Sequence, residues 1–145
     1  IVVWVNPISP LQPAQEIREV VNYFLENNFD SLITVKNEQV HCILDSQPIN
    51  FSLESKFAQT QELTPVQIFV YSLMMWKTDT FREAMKTQGH AILHGKIGFY
   101  PVSKWSGIII KTEEDLLLAD FIACSRKEKM KVIYHPLVKI SSPLQ

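Results

Sequence analysis

The chain opens Ile1-Val-Val-Trp-Val-Asn-Pro-Ile-Ser-Pro-Leu-Gln-Pro13, and this stretch decides how the rest is read. Ile1–Val5 is a continuous apolar run rich in β-branched residues, the pattern of a strand covered on both faces in a parallel sheet. The three prolines that follow exclude both helix and central strand, so Asn6–Gln12 is a stiff loop at the strand's carboxyl end. Pro13 suits a first helical position. From Ala14 to about Asn27, Ile17, Val20, Val21, Phe24 and Leu25 recur at helical spacing, and Asn27-Asn28 suits a left-handed stop. Asp30–Lys36 reads as a second strand. Strand, loop, helix and strand in this order predict a βαβ unit in an α/β fold with a mostly parallel sheet. A chain that enters such a strand at its first residue predicts a sheet missing its N-terminal part.

Further along, Val40–Leu44 reads as a short strand and 45–64 as a partly irregular excursion. Ile68–Trp76 is a strong strand signal, with Met74-Met75-Trp76 assigned to the core. Thr78 or Thr80 then caps a helix that Gly89 stops, and Thr80 with Glu83 fits a capping box. Lys96–Val102 and Gly107–Ile110 read as strands. Thr112-Glu-Glu-Asp115 caps a last helix, with Leu116, Leu117, Ala119, Asp120 or its neighbour, and Ile122 as its inward face. The expected organisation is one domain over 1–124, the 45–64 excursion within it, and a tail over 125–145.

The 145 residues suffice for one real core. A net charge of −1 gives no field to select nucleic acid or an acidic membrane, and the run Arg126, Lys127, Lys129, Lys131 is interrupted by Glu128. The longest apolar run is too short to cross a bilayer, and no leader pattern is evident. Cys42 and Cys124 lie far apart in apolar contexts, which predicts buried free thiols in a reducing, cytoplasmic setting.

Ligands of open parallel sheets bind beyond the carboxyl ends of strands. Asn6, Ser9 and Gln12 are placed there as candidate substrate-binding residues. Trp105, in a loop before Gly107, is a further candidate, either to stack a base or sugar or to cover the sheet's end. No metal site is read from the sequence. His90 and His94 sit at i, i+4, but Gly89 and Gly95 bracket them in a loop. His41 and Cys42 are adjacent in a strand and point to opposite faces, which predicts a core thiol beside an exposed imidazole.

Four pieces, in order, resemble the acylneuraminate cytidylyltransferases, the CMP-sialic acid synthetase family. Trp4-Val-Asn-Pro-Ile-Ser-Pro-Leu-Gln-Pro13 resembles the family's L-Q-P-T-S-P-L-R loop. Glu16-Ile-Arg-Glu and Asp30-Ser-Leu-Ile-Thr-Val keep its helix and strand spacing. Gln61-Glu-Leu-Thr-Pro-Val66 resembles R-R-Q-D-L-P-P-V-Y. Gly98-Phe-Tyr-Pro-Val-Ser-Lys-Trp-Ser-Gly107 with Thr112-Glu-Glu-Asp-Leu116 resembles Y-P-x-x-x-S-x-D-I-D-T-E-x-D. The resemblance implies a Rossmann-like nucleotidyltransferase fold of three α/β/α layers. It also implies CTP and a sugar acid as substrates, Mg²⁺ as cofactor, and homodimers that pair through the 45–64 excursion.

The departures from the family pattern fall on the charged ligands. The aspartates of D-I-D align with Ile109 and Lys111, and neither ligates a hard cation. Glu113, Glu114 and Asp115 remain, as a helix cap. The loop's Gln is Asn6 and its Arg is Gln12. The paired arginines fall at Gln59 and Thr60, the Tyr at Gln67, and the Asn before the next strand near Val70 or Tyr71. The glycine- and basic-rich phosphate loop has no counterpart, the glycines being Gly89, Gly95, Gly98 and Gly107. The resulting expectation is a cytidylyltransferase-like protein of CMP-sugar metabolism that is catalytically impaired or incomplete. The alternatives are an enzyme completed by another chain or segment, with acids such as Glu113 or Asp115 holding the cation, and a non-catalytic binding or assembly module.

Overall fold

The computed structural model describes residues 1–54 and 56–127. The elements run β1 (Val2–Val5), α1 (Ala14–Glu26), β2 (Ser31–Glu38), β3 (Ile43–Leu44), β4 (Gln47–Pro48), β5 (Val66–Trp76), α2 (Thr78–Gln88), β6 (Ile97–Pro101) and α3 (Glu113–Lys127). A four-stranded sheet has the order β1-β5-β2-β6, and β3 and β4 form a separate hairpin. The fold is therefore mixed α/β. The expected mostly parallel sheet is corrected: β5 is antiparallel to both β1 and β2, and β2 with β6 is the parallel pair. The cause is competition for the centre. β5 carries the long apolar run and inserts between the two strands that α1 connects. β1 and β2 still point the same way, but they are not neighbours.

β1 also differs in its environment. All four of its residues are exposed, so an apolar run expected to be covered on both faces is an edge strand. Its Val3 and Val5 pair with Met75 and Leu73. Those two join Val20, Phe24, Phe29 and Leu32 in the buried cluster under α1. Val20 and Phe24 are one helical turn apart, which is why α1 seals this side. Val2 and Trp4 alternate to the other side of the sheet, with Met74 and Trp76.

Between the pairs Ile33–Met74 and Val35–Phe69, β5 sets Val70–Leu73 opposite Thr34 alone. Tyr71 absorbs the excess with a φ of 54°, in the left-handed region. The Thr34 hydroxyl stands in for the interrupted ladder. It accepts from Leu73 N (3.1 Å) and lies 3.1 Å from Leu73 O and 2.9 Å from Ser72 Oγ.

α2 ends on Gly89 (φ 76°) as expected, but its N-cap is Lys77. Thr80 lies inside the first turn and donates to Lys77 O, so the expected Thr80–Glu83 capping box is not formed. Gly95 (φ 59°) turns the chain against Asp30, where a Cβ would stand 2.7 Å from the Asp30 Cβ. α3 is capped as the sequence predicts: Asp115 N donates to Thr112 Oγ1 (3.3 Å) and Thr112 N to Asp115 Oδ2 (2.9 Å). Its inward face is corrected, because Ala119 is buried while Leu116 and Leu117 are exposed. Residues 108–111 form no strand, since no neighbouring strand pairs with them. Of the expected tail, 128–145 lie outside the described residues. No helix among the described residues is long and apolar enough to cross a membrane.

Candidate functional site

Three segments meet beyond the carboxyl ends of β1, β2 and β6. They are the loop after β1, the first turn of α1, and the stretch after β6. Ile110 N donates to Ile8 O (2.8 Å) and Ser9 Oγ donates to Ser106 O (2.7 Å). Glu16, buried in the first turn of α1, accepts from Ser103 N at Oε1 (2.7 Å). Its Oε2 accepts from Ser106 Oγ and from Gln12 Nε2 (3.4 Å). Gln12 Nε2 also reaches Ser72 Oγ (3.3 Å), which continues the network to Thr34. A polar chain thus runs from the sheet's bulge to the loop carrying Trp105.

The four candidates from the sequence all come to this place, with altered roles. Asn6 N donates to Ser72 O (2.9 Å), and Asn6 Oδ1 accepts from Ile8 N (3.3 Å), so its amide oxygen shapes the loop. Ser9 is buried and fastens the loop to Ser106. Gln12 Oε1 is buried without a donor among the described residues. Trp105 is 43% exposed and carries the Arg126 guanidinium 4.7 Å from its ring centroid. This distance fits a cation–π contact. No strong local signal in the sequence gives Glu16, Ser72, Ser103 or Ser106 a place in the site. An acid in a first turn is accounted for by the helix dipole, and Ser72 hides in an apolar run. The i, i+4 spacing of Gln12 and Glu16 was the available signal.

Electrostatics separate the acids by role. Backbone N–H groups of Lys111 and Thr112 hold the Asp115 carboxyl below its ordinary value, so this acid is spent on the helix cap. Burial pushes the Tyr100 hydroxyl up, and the charges of Glu19 and Glu16 add to this. A hard divalent cation does not fit the donors at hand. Ile109 and Lys111 offer no oxygen ligand, and both Glu16 oxygens already accept hydrogen bonds. Among the described residues no three His, Cys, Asp or Glu side chains form a group able to hold a metal.

The other candidate groups are structural. His94 is buried, with Nδ1 2.6 Å from Ala91 O and Nε2 3.1 Å from Thr80 Oγ1. His41 stacks on Phe57 (centroids 4.2 Å apart) and meets Phe51 edge-on, with Nε2 3.1 Å from Ala58 O. It is half-buried and not the exposed imidazole expected. Cys42 is half-buried and Cys124 exposed; both are free, and neither is a core thiol. An apolar groove of about 770 Å³, lined by Val2, Trp4, Met74, Trp76, Phe81 and Ile92, opens toward the other end of β1. Thr78 and Arg82 are its polar lining, and it leaves part of that side of the sheet uncovered. No protein-family model matches the chain, and no curated protein matches it.

Proposed function

We propose that the chain is a cytidylyltransferase-like domain of CMP-sugar metabolism, Rossmann-like in descent and impaired in the transfer step. The observation that carries this reading is the meeting of the resembling segments. Residues 6–16 and 98–116 are about ninety to a hundred positions apart, yet four hydrogen bonds join them at the strand ends, two at Ile8 and Ser9 and two at Glu16. CTP and a sugar acid are its ligands by this reading. The site offers them a stiff loop, the Trp105 ring and the Arg126 cation. It lacks paired carboxylates to neutralise charge on a reacting phosphate, because residues 109 and 111 are a hydrocarbon and an ammonium. Homodimerisation through the excursion is part of the same proposal. Ile49, Leu53 and Phe57 stand exposed there, and Ile43 and Leu44 stand exposed just before it, an apolar surface suited to a partner.

Calorimetric titration of the full chain with CTP, with and without Mg²⁺, tests this together with a pyrophosphate assay in the presence of an acylneuraminate. The expected result is nucleotide binding that Mg²⁺ does not alter, and no pyrophosphate. Mg²⁺-dependent binding with pyrophosphate release would make the chain a working enzyme. Absence of binding from a dimeric sample would make it an assembly module, the second reading favoured by the exposed excursion.

A further inference from the structure

We infer that Glu16 is a positioning residue whose buried carboxylate latches the 103–106 turn to the first turn of α1, and so sets where Trp105 stands beneath Arg126. The use of this latch for a nucleotide rests on the reading above; the latch itself rests on geometry alone.

Glu16 is 8% exposed and has no cationic partner among the described residues. A carboxylate buried in this way is costly unless its lone pairs are satisfied. Ser103 N, Ser106 Oγ and Gln12 Nε2 supply three donors, and the helix N-terminus adds its positive end. Stability alone gives little reason to keep a charge here, since well-packed neutral groups often do as well. What the charge adds is geometry. Its two oxygens take different donors from one turn, 87 and 90 positions along the chain, and fix both ends of that turn.

Trp105 lies between the two latched residues. The turn is closed internally by Gly107 N to Ser103 O (3.0 Å) and Ile108 N to Trp105 O (3.1 Å). With the backbone held, the indole is left half-exposed under the Arg126 guanidinium. A planar ring beside a cation suits a ligand that combines a flat base with an anionic group. Without the latch, the shelf keeps its residues but loses its place.

The test uses the full chain labelled with 5-fluorotryptophan. Its three tryptophans give three ¹⁹F lines, and Trp105→Phe identifies the line of interest. In Glu16→Ala and in Ser106→Ala, the Trp105 line is expected to move toward its unfolded position and sharpen, while the Trp4 and Trp76 lines stay. Glu16→Gln keeps an acceptor for Ser103 N and is expected to fall between. A Trp105 line unmoved in both alanine variants overturns the inference, as does common movement of all three lines. CMP is then added to the same samples. The parent's Trp105 line is expected to shift, with affinity about tenfold weaker in Ser106→Ala. A parent that ignores CMP removes the nucleotide reading and leaves the latch to be decided by the variant spectra.

Discussion

The two sides of the sheet are finished to different degrees. Under α1, Val20, Phe24, Leu32, Leu73 and Met75 are fully out of water. On the opposite side Ile33, Val35 and Met74 are buried, but Phe69 and Phe99, stacked with centroids 5.9 Å apart, both stay more than a third exposed, and Val2 and Trp4 line an open groove. Both sides carry large apolar residues, so hydrophobicity alone does not explain the difference. Coverage does: α1 lies along one side, whereas α2 contributes Phe81 and Arg82 at one end of the other. The polar network falls on the closed side, where Glu16 and Thr34 can be kept dry and rigid. A site that depends on fixed hydrogen bonds needs that closure.

The largest expected effect comes from setting one side against the other. Leu73→Ala removes a fully buried side chain from the α1 cluster and is expected to cost about 3–5 kcal/mol in urea unfolding. Phe69→Ala, on the open side, is expected to cost about 1 kcal/mol, because much of that ring already contacts water. Equal losses would break the comparison. A Phe69→Ala loss that grows with protein concentration would show that a second copy covers the open side in solution.

The same contrast explains what was legible in the sequence. α1, β2, β5, α2 and β6 are readable within a few residues, because periodicity and breakers such as Pro13 and Gly89 act locally. Whether Ile1–Val5 lies inside a sheet or on its edge is not local, since four apolar β-branched residues look the same in both places. The antiparallel insertion of β5 was invisible for the same reason: it is set by which strand wins the centre. Ile108-Ile-Ile110 reads as a strand by propensity but lacks a neighbour to pair with. At the site, Asn6, Ser9 and Gln12 share one loop, and hydrogen bonds tie that loop to the turn that carries Trp105. The partners of Ser9, Gln12 and Glu16 stand about sixty to a hundred residues away, so their hydrogen bonds are not legible from the local sequence.

A smaller effect concerns the edge where the two sides meet, at Asp30. Lys96 N donates to Asp30 Oδ2 (2.8 Å), and the Lys77 ammonium lies 3.5 Å from Oδ1. The backbone hydrogen bond, with help from Lys77, holds this carboxyl below its ordinary value. A depressed folded value means the stabilisation is complete above the unfolded value, about 3.9, and is lost as pH falls through the lower folded one. Unfolding free energy of the parent is therefore expected to decline below about pH 4 by on the order of 1 kcal/mol from this group, discounted for its partial exposure. Asp30→Asn keeps an acceptor and removes the charge, so its profile is expected to be flatter in that window. Parallel profiles would show that the closed side does not draw on this pair.

The smallest effect is a change of sign at Tyr71. Its φ of 54° places a bulky residue where glycine is at ease, and such strain costs on the order of 1 kcal/mol. The bulge it creates delivers Ser72 and Leu73 to Thr34 on the closed side, while the Tyr71 ring meets Phe69 at 5.9 Å on the open side. An edge-on aromatic contact that is half-exposed returns less than about 1 kcal/mol. Tyr71→Gly is therefore expected to be neutral or stabilising by up to about 0.5 kcal/mol in urea unfolding, despite the loss of a whole side chain. A loss above about 1 kcal/mol would mean that the ring does more on the open side than its contacts account for. In that case the strain is held in place for something that packs against Tyr71, and the division between a finished and an unfinished side would have to be redrawn at this residue.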